Sequence, residues 1–579
     1  MLFMTVSSCT GMIESPTAKP FDGSATLSPN AANDGSSPSA NVSSGSPGPT
    51  VPSPGGNTVS PSGPGNKPGT TNAAPTECST RAIGTSPLRR LTLSEYDNSV
   101  ADLLGDTTHP ASSFATDTQV GLFDNTAATQ TVPTLLAEQI LDSAVTLAEK
   151  ADLKAVMGCD PASGATCVNS FVSRFGRRAF RRPLSTDEST RYAALYDSTR
   201  AISDAATGVR SVIAALLTSP NFLFRVEFGA TSSSAIAEAQ ALTAFEMAAR
   251  LANLIWASVP DDQLLDAAAS GKLGTRAEVE TQARRMLDDS RARRALGEFY
   301  SQWFGLGRID SVTKDGATYP EFDETLRASM SEESHRFIDE VLWNGDAKLS
   351  TLLSASYSFI NEPLAELYGV EAPASGFARV KLNPDERAGI LTQAAVLAAY
   401  ARPDQSSPVK RGQWVRVRLL CQELPDPPAG VPELPEPKAG VSNRERFAMH
   451  TSNPKCSGCH NLIDGLGFGL EAYDGVGRFR TMDQGVAVDS SGEVTATTDI
   501  NGNYNGAVAL ATRLAKSEQV RDCAPTQWLR YSLGRTAETA DSCSSSELKR
   551  AFKESGGNLQ ELMVALTQTD TFWNYRKPE

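Results

Sequence analysis

The sequence predicts a mainly α body of several helical subdomains behind a disordered N-terminal tether. Two observations carry this. From about residue 78 onward, apolar residues recur at three- and four-residue spacing, the period of a helix with one buried face. Before that, from about Ser15 to Thr76, Ser, Pro, Gly, Asn and Thr dominate and large apolar residues are scarce. Burial there cannot offset the entropy of ordering. The chain has 579 residues, 40% of them hydrophobic, which predicts several domains or subdomains rather than one core.

The helices follow in order. Residues 91–96 lead into Val100, Leu103 and Leu104, and residues 135–153 repeat the pattern with Leu136, Ile140, Ala144 and Leu147. Phe171, Phe175 and Phe180 form a block stopped by Pro183, whose ring cannot continue a helix. Residues 184–188 then start a new helix with acidic residues at its positive end. Residues 212–217 stay apolar until Ser219-Pro220. Thr243-Ala244-Phe245-Glu246 is a capping-box pattern before a run ending near Pro260. Residues 279–287, 292–306, 326–342, 387–399 and 413–420 are the next helices. The Pro-rich stretch 425–437 is a connector. Residues 486–504 alternate polar and β-branched side chains between Gly turns, as a small hairpin or irregular loop does. Helices at 507–514, 526–533, 547–552 and 559–566 close the chain.

A net charge of -14 leaves no positive surplus to neutralise phosphates and argues against nucleic acid as a partner. No run of about 18 apolar residues occurs, so no segment reads as a membrane-spanning helix. Residues 1–9 open apolar, turn to small residues and end at Cys9. This resembles the end of a bacterial lipoprotein signal, in which Cys9 is acylated. The apolar part is short and no basic stretch precedes it, so an exposed Cys in a tail is the alternative. The expectation is membrane contact only through a lipid anchor, with residues 10–77 tethering the body away from an envelope membrane.

There are nine cysteines. Setting aside Cys9 for the lipid and the pair Cys456 and Cys459, six remain: Cys78, Cys159, Cys167, Cys421, Cys523 and Cys543. An even number is what a disulfide-bonded exported protein needs. Proximity favours Cys159 with Cys167 and Cys523 with Cys543, leaving Cys78 with Cys421.

Cys456-Ser457-Gly458-Cys459-His460 carries the chemistry. Two thiols with two residues between them reach both vinyl groups of one haem, and the His directly after the second places its imidazole under the iron. Independent placement of nine Cys and four His gives on the order of 0.001 such matches. The expectation is one covalent haem c, attached through Cys456 and Cys459 and ligated by His460. Three other readings exist. A thioredoxin-like dithiol wants a strand before a helix start, whereas the Pro-bearing stretch Thr451-Ser452-Asn453-Pro454 precedes this motif. A zinc site could recruit His450, but adjacent Cys459 and His460 rarely share one tetrahedral metal. A plain disulfide leaves His460 without a role.

For the sixth iron position the candidates are Met449, His450 and Met482. The first two precede the motif too closely to reach the opposite haem face without a tight turn. Met482, past a Gly-containing loop, is the distal candidate. A thioether there raises the reduction potential, a second imidazole lowers it, and an open position permits chemistry on a bound molecule. His109 and His335 are distant in sequence, and His335 falls in a helical pattern.

Other clusters weigh less. Arg174, Arg177, Arg178, Arg181 and Arg182 read as a solvated face pairing with acidic neighbours, with a docking patch as the alternative. Residues 499–503 faintly resemble a calcium loop but lack the later Glu, and read as an Asx-rich turn.

From Cys456 onward, Cys-Ser-Gly-Cys-His-Asn-Leu-Ile-Asp-Gly-Leu-Gly-Phe-Gly-Leu-Glu-Ala-Tyr-Asp-Gly-Val-Gly-Arg-Phe-Arg resembles a bacterial exported family, the planctomycete-type cytochrome-like proteins. Its members carry five consecutive domains of unknown function, with a cytochrome-c-like segment in the fourth. Residues 89–96, 175–184, 242–262, 407–412 and 528–535 resemble parts of the five in order. Gly465 stands where the family usually shows Pro, which implies a looser loop beside the haem and removes no ligand. The organisation implied is a signal remnant (1–9), a linker (10–77), helical domains at 78–155, 156–230 and 238–370, a haem segment at 385–482 and a C-terminal helical domain at 486–579. The functional expectation is an exported monohaem protein transferring electrons to or from a redox partner protein in the cell envelope. A haem-dependent oxidoreductase of peroxidase or oxygenase type, and a non-enzymatic surface or carbohydrate-interacting protein, are the alternatives.

Overall fold

The computed structural model describes residue 78 and residues 81–230, 234, 236–425, 436–451 and 454–578. Of these, the side chains of residues 449–451 and 454–456 are also outside the description. Cys9 and the tether therefore lie outside the described residues.

The fold is mainly α, as expected, with five two-stranded antiparallel ribbons among the described residues. Capping boxes start the helices Leu93–Leu104, Thr186–Ile202, Ala244–Ile255 and Arg276–Leu287, each with a Ser or Thr and a Glu exchanging side-chain and backbone hydrogen bonds. One core gathers residues from Leu91 to Leu223 with Val259. A second, larger core runs from Leu122 to Phe572. Its centre is aromatic: Trp528 stacks on Phe299 with ring centroids 3.6 Å apart, and the Trp414 indole N–H donates to the Phe304 carbonyl at 2.7 Å. Segments far apart in sequence thus share one interior. The ends close on each other as well. Asn574–Tyr575 pairs with Gln240–Ala241, and Ser86 N–H donates to the Arg576 carbonyl at 2.8 Å.

Three disulfides use the six expected cysteines, but the pairing differs from proximity in two of them. Cys159 joins Cys167 as expected; Cys78 joins Cys543 and Cys421 joins Cys523. Cys523 sits early in the helix Glu518–Leu533. Roughly 15 Å of helix follows it before the next helix begins at Ser542. Neighbours in sequence are thereby parted in space. Instead Cα atoms of Cys421 and Cys523 lie 5.4 Å apart and those of Cys78 and Cys543 5.7 Å. The Cys421–Cys523 bridge spans 102 residues and encloses the motif. In the chain-entropy account, closing a loop of that size stabilises by about 4–5 kcal/mol as an upper figure. A Cys421→Ser, Cys523→Ser chain is expected to lose stability of that order, read as a lower urea midpoint; an unchanged midpoint contradicts this.

Two helices differ from expectation. Residues 387–399 form only a turn at Ile390–Thr392 and a short helix Ala394–Ala399. Gly389 takes φ 52° where a Cβ would stand 2.3 Å from the Leu352 carbonyl. Beside it the buried Arg387 guanidinium donates to the Thr392 and Gly477 carbonyls at 2.8 and 2.9 Å. The helix expected from Thr526 starts at Glu518 and carries Pro525 inside it. Ser517 caps it by accepting from Val520 N–H, and Val520, Cys523 and Ala524 are buried, which offsets the hydrogen bond that Pro525 cannot make.

Glu333 is fully buried. Ser358 donates to its carboxyl at 2.6 Å and Tyr368 at 2.8 and 2.9 Å. Burial pushes its pKa up to about 7 from the ordinary 4.5. The folded state holds this proton more tightly than the unfolded chain. The contribution is therefore complete below about pH 4.5 and lost as pH rises through about 7. Glu333→Gln is expected to match the native chain near pH 5 and to exceed its stability at pH 8 by up to about 3 kcal/mol. Urea midpoints at the two pH values check this; no difference at pH 8 contradicts it.

Candidate functional site

The motif lies on the helix Pro454–Phe468. Pro454 opens it, at a position where a missing N–H costs no intrahelical bond. Positions 456, 459 and 460 are therefore related as i, i+3 and i+4 and share one helix face. Cys459 is a half-buried free thiol. The His460 Nδ1 lies 2.9 Å from Asp464 Oδ1, one turn further on, with both side chains nearly buried. A carboxylate accepting from Nδ1–H fixes ring orientation and tautomer and leaves Nε2 as the nitrogen with ligand capacity. This is the usual support of a metal-bound imidazole.

The last two turns of this helix are clamped. Its Gly467 would, with a Cβ, stand 1.8 Å from the Pro408 carbonyl, and a Cβ on Gly412 would stand 2.0 Å from the Ile463 carbonyl. Glycine on both partners lets Pro408–Trp414 cross it backbone to backbone. Gly465 belongs to the same packing: it is in the helix, not in a loop, and a Cβ there would meet the Glu493 carbonyl at 2.3 Å. The looser loop expected at that glycine is absent.

Two buried arginines fix the rest. Arg411 donates to the carbonyls of Leu470, Tyr473 and Leu397 at 2.9, 2.8 and 3.0 Å, and to that of Asp474. Burial pushes its pKa down to about 10. Arg416 donates to the carbonyl of Leu462, within the motif helix, and to that of Thr495 at 2.8 Å. At the helix exit, Ser406 and Asn443 donate to Glu471 at 3.0 and 2.8 Å.

The structure brings Cys459 and His460 together on one helix. The side chains of Cys456, Met449 and His450 lie outside the described ones. Met482 stands 54% exposed on the ribbon Met482–Asp483. Beside it, Gly440 N–H donates to the Gln484 carbonyl and Arg480 to Asp483 at 2.6 Å. His109 is exposed near Asp97. His335 lines a surface cleft with Arg293 and Trp343. Each guanidinium of the arginine run has an internal partner: Arg174 the Val156 carbonyl, Arg177 Asp266, Arg178 the Asp102 carbonyl, Arg181 the Phe222 carbonyl and Arg182 Glu188. Asp499 and Asn501 are used as turn and cap acceptors for Ser517 and Thr497. Among the described residues no group of three or more His, Cys, Asp or Glu could hold a metal ion.

Sequence reasoning missed Asp464, Arg411 and Arg416. The first had a signal, its place four residues after His460, but that spacing means contact only in a helix. The arginines had none, because a buried Arg and a surface Arg look alike in sequence.

Five family models match the chain in succession, each described only as a protein of unknown function. They cover residues 89–152 (DUF1587), 167–227 (DUF1595), 242–370 (DUF1592), 387–483 (DUF1588) and 502–572 (DUF1585). No curated protein and no solved structure matches it.

Proposed function

We propose, because the chain belongs to the planctomycete-type cytochrome-like family built from these five consecutive domains, that it is an exported protein holding one covalent haem c and passing single electrons to a partner protein. The observation that carries this reading is the His460–Asp464 pair on the helix with Cys-x-x-Cys-His spacing. A haem bound here would supply a one-electron iron couple. Cys456 and Cys459 would form the two thioethers, and His460 Nε2 the axial bond. Asp464 orients the imidazole and raises its electron density, while Arg411 and Arg416 hold the helix that presents it. Export is supported by three disulfides, which belong to oxidising compartments. Among the described residues no helix is long and apolar enough to cross a membrane, and Cys9 would supply the lipid anchor that keeps the protein at the envelope.

The optical spectrum separates electron transfer from haem enzymology. A six-coordinate, low-spin haem inert to carbon monoxide and peroxide is expected; a five-coordinate haem that turns over peroxide would move the reading to an oxidoreductase. A Met482→Ala chain with an unchanged spectrum would exclude Met482 as the sixth ligand. Asp464→Asn is expected to keep the haem and raise its midpoint potential, since a neutral amide donates less electron density through the imidazole than a carboxylate. An unmoved potential in a redox titration would show that Asp464 does not tune the ligand.

A further inference from the structure

A second site lies away from the motif, where the first and last parts of the described chain meet. Its cavity, of about 40 Å³, is lined by Arg89, Arg225, Glu227, Arg250, Ser532 and Thr571 among others. That is room for a few waters or one small ion. Arg89 and Arg225 are direct cross-strand partners in the ribbon formed by Arg89–Arg90 and Phe224–Arg225, a placement that like charges disfavour. Arg89 is 4% exposed and Arg250 8%.

The charges here do not balance. Arg89 pairs bidentately with Glu95 at 2.6 and 2.7 Å. Arg250 pairs with Glu227 and also donates to the carbonyls of Thr571, Phe572 and Asn574 at 3.1, 2.8 and 3.0 Å. Three guanidiniums thus meet two carboxylates, and Arg225 is the one left over. Its guanidinium makes no hydrogen bond or ion pair among the described residues. Arg181 behind it is capped by the Asn221 and Phe222 carbonyls and brings no negative charge. Asp124, the next carboxylate, is itself pushed up to about 7 by burial and by Glu298. Burial, then the neighbouring Arg89, pushes the Arg225 pKa down to about 10. A guanidinium cannot escape this by deprotonating at neutral pH, and Arg225 is itself half-buried at the cavity wall, open to an anion arriving from solvent.

We propose that this cavity binds one small inorganic oxyanion, phosphate or sulfate, on the Arg225 guanidinium between Arg89 and Arg250. The anion supplies the missing negative charge and pins residues 85–89, 225–250 and 529–572 to one another. A planar guanidinium fork suits an oxyanion's several acceptors.

Equilibrium dialysis of the full chain against labelled inorganic phosphate, at constant ionic strength set with chloride, tests this. The expected result is saturable binding of one phosphate per chain, competed by sulfate and not by chloride, with a melting temperature that rises with phosphate. Arg225→Gln is expected to weaken phosphate binding by about tenfold or more. It should also leave the anion-free protein at least as stable as the native chain, because the surplus charge is gone. Absent saturable binding, or binding retained in R225Q, overturns the proposal. An R225Q chain that does not fold overturns it too, since Arg225 would then be held by the protein's own groups rather than by an anion.

Discussion

Replacing Arg411 with leucine is expected to destabilise the body by about 3–5 kcal/mol and to loosen the motif helix first. The side chain is 1% exposed. Its two terminal nitrogens serve four carbonyls, three of them in the turn at Leu470, Tyr473 and Asp474 that follows the motif helix, and the fourth at Leu397. Leucine fills part of the volume but orphans all four acceptors, each worth about 1–3 kcal/mol when buried unpaired. Relaxation recovers some of that sum, hence the smaller total. Lysine keeps the charge but presents one nitrogen where the guanidinium fork presents two, so Arg411→Lys is expected to be only a partial rescue. Urea midpoints rank the three chains. A local role predicts in addition that the Cys459 thiol of R411L, in protein without haem, reacts with a thiol reagent below the global midpoint. Reaction only on global unfolding would reduce Arg411 to an ordinary core residue.

The second large effect concerns the motif itself. Cys456→Ala with Cys459→Ala is expected to abolish covalent haem, while leaving the fold in place. The three structural disulfides are made by six other cysteines, and Cys459 stands outside both main cores. His460→Ala is expected to act differently: the thioethers still form, but the axial nitrogen is lost and the spectrum turns high-spin. If H460A kept a native low-spin spectrum, His460 would not be the proximal ligand. If the double cysteine chain kept full biological function, haem would be incidental to it.

Several of these features were legible before the fold was known, and the divide is physical. The helix Ala244–Ile255 declared itself through a capping box and Leu93–Leu104 through a 3.6-residue apolar period, both local properties. The Cys-x-x-Cys-His spacing was equally local. What failed was whatever depends on contacts far away in sequence. Cys523 pairs across 102 residues rather than with nearby Cys543, since a rigid helix separates the neighbours. Residues 387–393 carry helical spacing, yet Gly389 presses on the Leu352 backbone and breaks the helix. Gly465 read as a weakness in a loop and is a close helix contact instead. Asp464 became a site residue only once residues 460 and 464 were known to lie on one helix.

Intact mass and a pyridine haemochrome spectrum of the native chain, produced in a host that matures c-type cytochromes, test the central claim most directly. One covalent haem per chain, added at Cys456 and Cys459, is the result predicted. A chain of unmodified mass with no haemochrome band would contradict it and return the motif to thiol chemistry.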